Sequence, residues 1–149
     1  MSKRCVFCEI CKGKESASFI HEDDEFMVIM DAYPLSEGHV MVIPKQHKKR
    51  LIELDENTQT KLFSLGESVI HALNAQGYGL DGCNMLLNDG KAANQTVPHL
   101  HLHIIPRKKN DFLKVLPKLF LHVTGFFGLK PNRVKLDNLA KSIAATFNP

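Results

Sequence analysis

The chain has 149 residues, an apolar content ordinary for a soluble globular protein and a formal net charge of +3, which suits one domain built on one core. No apolar run approaches the roughly 20 residues needed to span a bilayer, and "MSKRCVFCEICKGKES" lacks an apolar stretch long enough for a secretory signal, so a cytoplasmic protein is expected. The charge is uneven: residues 106–135 hold eight basic residues and one acid, against 11 basic and 15 acidic residues elsewhere, a polarity that favours an anionic ligand or surface near that segment.

At the N-terminus, Cys5, Cys8 and Cys11 crowd together while Cys83 stands alone. In a reducing compartment such a cluster points to metal binding or redox work, or to small buried apolar side chains, rather than to a disulfide framework. "ASFIHED" and "FMVIMD" then flank "EDDE" and read as a hairpin. "YPLSEG" is a second turn, and "HVMVIP" a buried strand ending at Pro44.

From about Glu56 to Gln76, Leu62, Leu65, Val69 and Leu73 recur at helical spacing, with Asp55 as N-cap and Gly77 as stop. "GCNMLLND" is the next strand, "NDGKAANQ" a polar loop and "VPHLHLHIIPR" the last strand. Residues 136–147 close the chain as an amphipathic helix. Five strands joined mostly by turns, one long helix and a C-terminal helix predict an α+β fold with a largely antiparallel five-stranded sheet.

The last strand carries the chemistry. With a side-chain period of two, His99, His101 and His103 share one face, while Leu100, Leu102 and Ile104 share the other and pack under the helix. Neighbouring imidazoles then lie about 6 to 7 Å apart along the strand. Imidazole titrates near neutral pH and serves as nucleophile, acid, base or metal ligand, so a row of three suits an extended substrate such as a phosphate chain.

The run His99–Ile105 fills every position of His-φ-His-φ-His-φ-φ, with φ apolar, and the chain thereby resembles the histidine triad (HIT) family. The resemblance covers about residues 5–107, through "CVFC", "EDDEFMVIMDAYPLSEGHVMVIPKQH" and "NQTVPHLHLHIIPR", with a weaker match for the final helix. It implies a HIT-like fold in a single domain over 1–149, with a core at about 5–107, and a homodimer with a nucleotide pocket on each protomer. It also implies hydrolysis or transfer at the α-phosphate of a purine nucleotide or nucleotide conjugate.

Carried over residue by residue, the resemblance makes His101 the nucleophile that forms a nucleotidyl-histidine intermediate. His103 holds a phosphate oxygen, and His39 lies beside the nucleophile and orients it. Asn88, Gln95 and Thr96 match phosphate-contacting positions, and Asp31 matches an acid that binds the ribose hydroxyls. For Gln95 the competing reading is an amide that ties down its own loop; for Asp31, a turn residue before "AYP". Asn94 stands where the family often has glycine, and asparagine tolerates left-handed backbone best among the other residues.

Cys5 and Cys8 have the C-x₂-C spacing of a shared tetrahedral metal. The bacterial branch of the family pairs that motif with two histidines, here His47 and His99, in a structural zinc site not required for catalysis. Cys11 forms a second C-x₂-C with Cys8 and offers an alternative ligand pair.

Residues 108–135 are atypical, and 111–132 have no family match. In "FLKVLPKLFLHV", Lys114, Lys118 and His122 are four apart among apolar residues, which on a helix gives an apolar face and a basic stripe that Pro117 would kink or split. The segment caps the core or the dimer, forms a flap over the pocket, or contacts a membrane or a protein through 112–132. No nucleic acid is expected, since the aromatics sit in an amphipathic pattern rather than a stacking platform.

The leading functional expectation is an enzyme of the purine nucleoside phosphoramidase type. The alternatives are a dinucleoside polyphosphate hydrolase and a nucleotide- or zinc-binding interaction module with little catalysis.

Overall fold

The computed structural model describes residues 4–124 and 132–149. Its strands are β1 Phe19–Glu22, β2 Phe26–Met30, β3 Val40–Pro44, β4 Cys83–Leu87 and β5 Leu102–Pro106. They form one antiparallel sheet in the order β1-β2-β3-β5-β4. The described helices are α1 Val6–Cys11, α2 Glu56–Ala75, α3 Phe112–Thr124 and α4 Arg133–Ala144. None of the described helices is long and apolar enough to cross a membrane.

Local chemistry explains the boundaries. The β1–β2 turn closes on Asp23, whose Oδ1 accepts from the amides of Glu25 (2.8 Å) and Phe26 (2.7 Å), the Asx geometry that favours turns. Asp55 caps α2, its Oδ1 accepting from the Thr58 amide at 2.9 Å. Gly77 ends α2 with φ of +82°, a conformation glycine adopts without a Cβ clash.

The sheet is covered on both faces, so β2, β3 and β5 are buried throughout. On one face, Val28, Met30, Val40, Val42, Leu100, Leu102 and Ile104 pack with Leu62, Leu65, Val69 and Leu73 of α2 and Leu136, Ala140 and Ile143 of α4. α2 approaches closely at Gly66, where an added Cβ would meet Leu102 Cδ2 at 3.1 Å and Ile104 Cδ1 at 3.3 Å.

On the opposite face, Phe7 and Ile10 of α1 pack on Met27, Ile29, Met41 and Ile43. Further along, Val115 and Leu119 of α3 pack with Leu35 and Ile105, as a segment that caps the core would. The histidine face of β5 lies between these two covers.

One expectation changes. The last strand does not begin at Val97: only residues 102–106 pair as strand, so His99 and His101 precede it. The ladder stops because the Leu100 amide donates to the Lys48 carbonyl (2.7 Å) and the Pro44 carbonyl bonds the His99 ring (2.7 Å) instead of β5 backbone. The alternation nevertheless persists upstream, with Leu100 in the core beside Leu102 and Ile104.

Of the two outcomes expected at Pro117, a split does not occur: α3 runs through it as one helix. The carbonyl deprived of its partner belongs to Leu113, an exposed residue, where water can take the bond. Residues 125–131 of the proposed flap lie outside the described residues.

Candidate active site

His39, His99, His101, His103 and Asp31 are all buried, and the hydrogen-bond partners of each histidine dictate which ring nitrogen carries the proton. A backbone amide can only donate and a carbonyl can only accept, so the assignments follow from the partners.

The first chain starts in the turn before β3. The Leu35 amide donates to His39 Nδ1 at 3.1 Å. Nδ1 therefore holds a lone pair, and neutral His39 carries its proton on Nε2. That Nε2–H donates to His103 Nδ1 at 2.9 Å, with Asp31 Oδ2 a further 3.5 Å neighbour. His103 Nδ1 is thus an acceptor, and the proton of neutral His103 sits on Nε2 as a hydrogen-bond donor.

The second chain fixes His101. Its Nδ1 lies 2.7 Å from the His99 carbonyl, which can only accept. Nδ1 carries the proton, and the Nε2 of neutral His101 has a lone pair. One row of histidines thus holds a lone-pair nitrogen in His101 next to a donor nitrogen in His103. Their ring centroids are 4.8 Å apart, closer than the spacing along an extended strand because the rings turn edge to face.

The third histidine points elsewhere. His99 Nε2 donates to the Pro44 carbonyl, leaving the Nδ1 lone pair to face Cys5 Sγ at 3.3 Å and Cys8 Sγ at 3.6 Å. Cys8 Sγ also lies 3.3 Å from His47 Nδ1. The four ligand atoms of Cys5, Cys8, His47 and His99 all lie within 4.8 Å of one another. A tetrahedral zinc with ordinary bond lengths separates sulfur and nitrogen ligands by about 3.6 Å, so the residues present fit such an ion.

The Pro44 carbonyl supplies the outer hydrogen bond that orients a ligating imidazole. Without an ion, burial and then the neighbouring Cys5 push the Cys8 thiol up to about 11, and burial lowers the pKa of His99. A bound cation reverses the thiol's preference by favouring the thiolate.

Cys11 lies outside this group of ligand atoms. Its thiol contacts Met27 Sδ at 3.8 Å. Asp31, His39 and His103 also gather within ligand distance of one another. They fit an ion poorly, because the Leu35 amide occupies His39 Nδ1 and keeps the proton on the nitrogen that would have to ligate.

The remaining residues separate. His39 lies against His103, to which its Nε2 donates; the turn from Leu35 to β3 aims that nitrogen at the strand residue. Asp31 Oδ1 accepts from the Tyr33 amide at 2.8 Å, as a turn residue would, and Oδ2 faces His39 and His103 at 3.5 and 3.7 Å.

Asn88 follows Leu87, which pairs with Leu102, so it is level with His101. The Gln95 amide ties its own loop to the segment after β3, Oε1 accepting from Gly90 N (3.2 Å) and Nε2 donating to Lys49 O (2.7 Å). Thr96 is exposed beside it. Asn94 adopts φ of +63°, the left-handed backbone expected of it.

Phe7, which the sequence reading passed over, contacts the rings of both His99 and His101. The apolar residue inside Cys5-x-x-Cys8 was its signal.

The model of the HIT domain matches residues 12–110. The chain belongs to the HIT family. Among its relatives, adenylylsulfatase HINT3 of Arabidopsis thaliana is 38% identical over 118 residues, which are 79% of this chain and 59% of that protein; the chain thus spans under two thirds of that relative. Adenosine 5'-monophosphoramidase hnt1 of Schizosaccharomyces pombe is 33% identical over 108 residues, 72% of this chain and 77% of that one.

In three dimensions, this HIT protein is similar to a Zn-bound histidine triad family protein from Mycobacterium smegmatis. The TM-score is 0.72 at 34% identity, over 95% of this chain and 93% of that one. A Hit-like protein involved in cell-cycle regulation from Bartonella henselae gives a TM-score of 0.80 at 25% identity over 96% of each chain.

Proposed function

We propose that this HIT protein hydrolyses nucleotide conjugates of the purine nucleoside phosphoramidate type through a covalent intermediate on His101. The observation that carries the reading is the bond from His101 Nδ1 to the His99 carbonyl. It leaves the Nε2 lone pair as the attacking group and steadies the positive charge that the ring acquires.

In the first step Nε2 forms a bond to the α-phosphorus as the P–N bond to the leaving amine breaks, and the amine takes a proton. His103 Nε2–H donates to a non-bridging phosphate oxygen as charge develops there. In the second step water adds to phosphorus, its oxygen stays in the nucleoside monophosphate, a proton is released, and the N–P electron pair returns to His101.

Asp31 and Asn88 line the nucleotide side of the site, Asp31 toward the ribose hydroxyls and Asn88 toward phosphate. The Gln95 side chain shapes the loop and Thr96 offers its hydroxyl. Cys5, Cys8, His47 and His99 would hold a zinc ion, which supplies a fixed tetrahedral node and no step of the reaction. The reading is of a cytoplasmic homodimer. The adenylylsulfatase relative supports a wider range of leaving groups at the same phosphorus.

The test is release of AMP from an adenosine phosphoramidate and from diadenosine tetraphosphate, together with mass detection of adenylylated protein. The expected result is faster release from the phosphoramidate, an AMP adduct on wild type, and neither release nor adduct in His101→Ala. A folded, zinc-loaded wild type without release would make the chain a nucleotide-binding module.

A further inference from the structure

α3 carries two apolar faces. Val115 and Leu119, one turn apart, pack with Leu35 and Ile105. Leu113, Leu116, Pro117 and Phe120 recur at the i, i+3, i+4, i+7 spacing of a second stripe. That stripe faces outward: Leu113 is 79% exposed, Phe120 68% and Leu116 46%. A helix that only caps a core is polar on its outer side.

Positive charge borders the outer stripe. Lys114 and Lys118, one turn apart, run along its edge, and Lys108 and Lys109 precede the helix; all four are exposed. Between residues 106 and 124 there are five basic residues and a single acid, Asp111. Arg107 already holds that acid through both carboxylate oxygens, so the segment has no acid left to offset its lysines.

A second copy of the chain suits this face poorly. A two-fold contact brings one patch onto itself, and the lysine edges would then meet at a cost. An anionic bilayer answers both features. Apolar side chains enter the boundary between headgroups and acyl chains, while long lysine stems let the ammonium groups reach lipid phosphates. With 13 residues, α3 is about 20 Å long, enough to lie in that boundary and too short to cross the bilayer. The Leu113 carbonyl, which Pro117 leaves without an amide partner, keeps the helix at a depth where water remains.

We infer that the outer face of α3 docks on the surface of an anionic lipid bilayer, with Leu113, Leu116 and Phe120 entering the headgroup boundary and Lys114 and Lys118 pairing with lipid phosphates. This is independent of the proposed role of His101.

The test is sedimentation of the full chain with phosphatidylcholine vesicles, with and without phosphatidylglycerol. Binding is expected to the phosphatidylglycerol vesicles and should weaken as salt rises. Lys114→Gln with Lys118→Gln should lower the partition coefficient about fivefold per lysine. Leu113→Ser with Leu116→Ser should lower it about tenfold or more. These positions are exposed, so both double variants should unfold at the wild-type midpoint. The chain has no tryptophan, so Leu113→Trp supplies a lone indole whose emission should shift to the blue on the anionic vesicles.

Folded wild type that stays in solution with phosphatidylglycerol vesicles overturns the inference. So does binding that survives both double variants. Binding lost with the lysines but kept without the leucines, and with no blue shift, would be adsorption by charge alone and also overturns it. A wild-type dimer that comes apart in Leu113→Ser with Leu116→Ser would assign the face to a second copy instead.

Discussion

His39 offers the sharpest test of the proton arrangement. Its ring is fully buried and links the Leu35 amide, at 3.1 Å on Nδ1, to His103 Nδ1, at 2.9 Å on Nε2. His39→Ala removes the acceptor of the buried Leu35 amide, at a cost of about 1–3 kcal/mol. With the lost packing, a fall of about 3–5 kcal/mol in unfolding free energy is expected.

The rate should fall for a separate reason. Without a donor on Nδ1, His103 can shift its proton there and present a lone pair to the phosphate, and losing one such donor costs about 10²–10³ in kcat. Two variants split these effects. The amide of Asn reaches about as far as Nδ1 and can accept from Leu35, whereas that of Gln reaches about as far as Nε2 and can donate to His103. His39→Asn should therefore recover stability without rate, and His39→Gln should recover rate ahead of stability. Thermal unfolding and single-turnover adenylylation read the two quantities. If Asn restores the rate as well as Gln does, the donor chain from His39 to His103 is wrong.

Three further outcomes follow from other parts of the molecule. A structural zinc contributes on the order of 10 kcal/mol to folding, so chelation should sharply lower the unfolding midpoint; Cys8→Ser should lose the metal and Cys11→Ser should keep it, read by zinc stoichiometry. At Asn94, with φ of +63°, substitution by Ala should cost about 1 kcal/mol in denaturant melts and Gly should be neutral or slightly stabilising. Asp111 is held near a pKa of about 2 by Arg107, whose guanidinium donates to both carboxylate oxygens. Its folded pKa is below its unfolded value near 3.8, so its support of the α3 start should be complete above about pH 4 and fade as pH falls toward 2; Asp111→Asn should abolish that fading when α3 docking is followed by hydrogen exchange.

Much of this was legible from periodicity. The alternation of His99, His101 and His103 with Leu100, Leu102 and Ile104 assigns faces correctly even where strand pairing has ended, because extended backbone alternates whether or not it is bonded to a neighbour. Asp55 and Asn94 declared themselves through side-chain chemistry that acts within a few residues. The start of β5 was not legible, since it depends on where the Lys48 carbonyl and the Pro44 carbonyl lie in space. α1 was missed because six residues contain too few turns for a helical period to register. The path of α3 through Pro117 depends on whether water can reach the Leu113 carbonyl, a property of the folded surface.

The same limit holds for the protonation of the histidines. Four histidines with one side-chain chemistry are differentiated by the first backbone group each one meets. A carbonyl on Nε2 turns the Nδ1 of His99 toward sulfur, a carbonyl on Nδ1 frees the Nε2 of His101, and an amide on the Nδ1 of His39 makes its Nε2 a donor that in turn makes His103 a donor. Exchanging an amide for a carbonyl at any of these points would exchange the roles without altering a histidine. The triad pattern therefore specifies where imidazoles stand, and the backbone at Leu35, Pro44 and His99 specifies what each can do. Substitutions that shift that backbone should change the chemistry while every histidine stays in place.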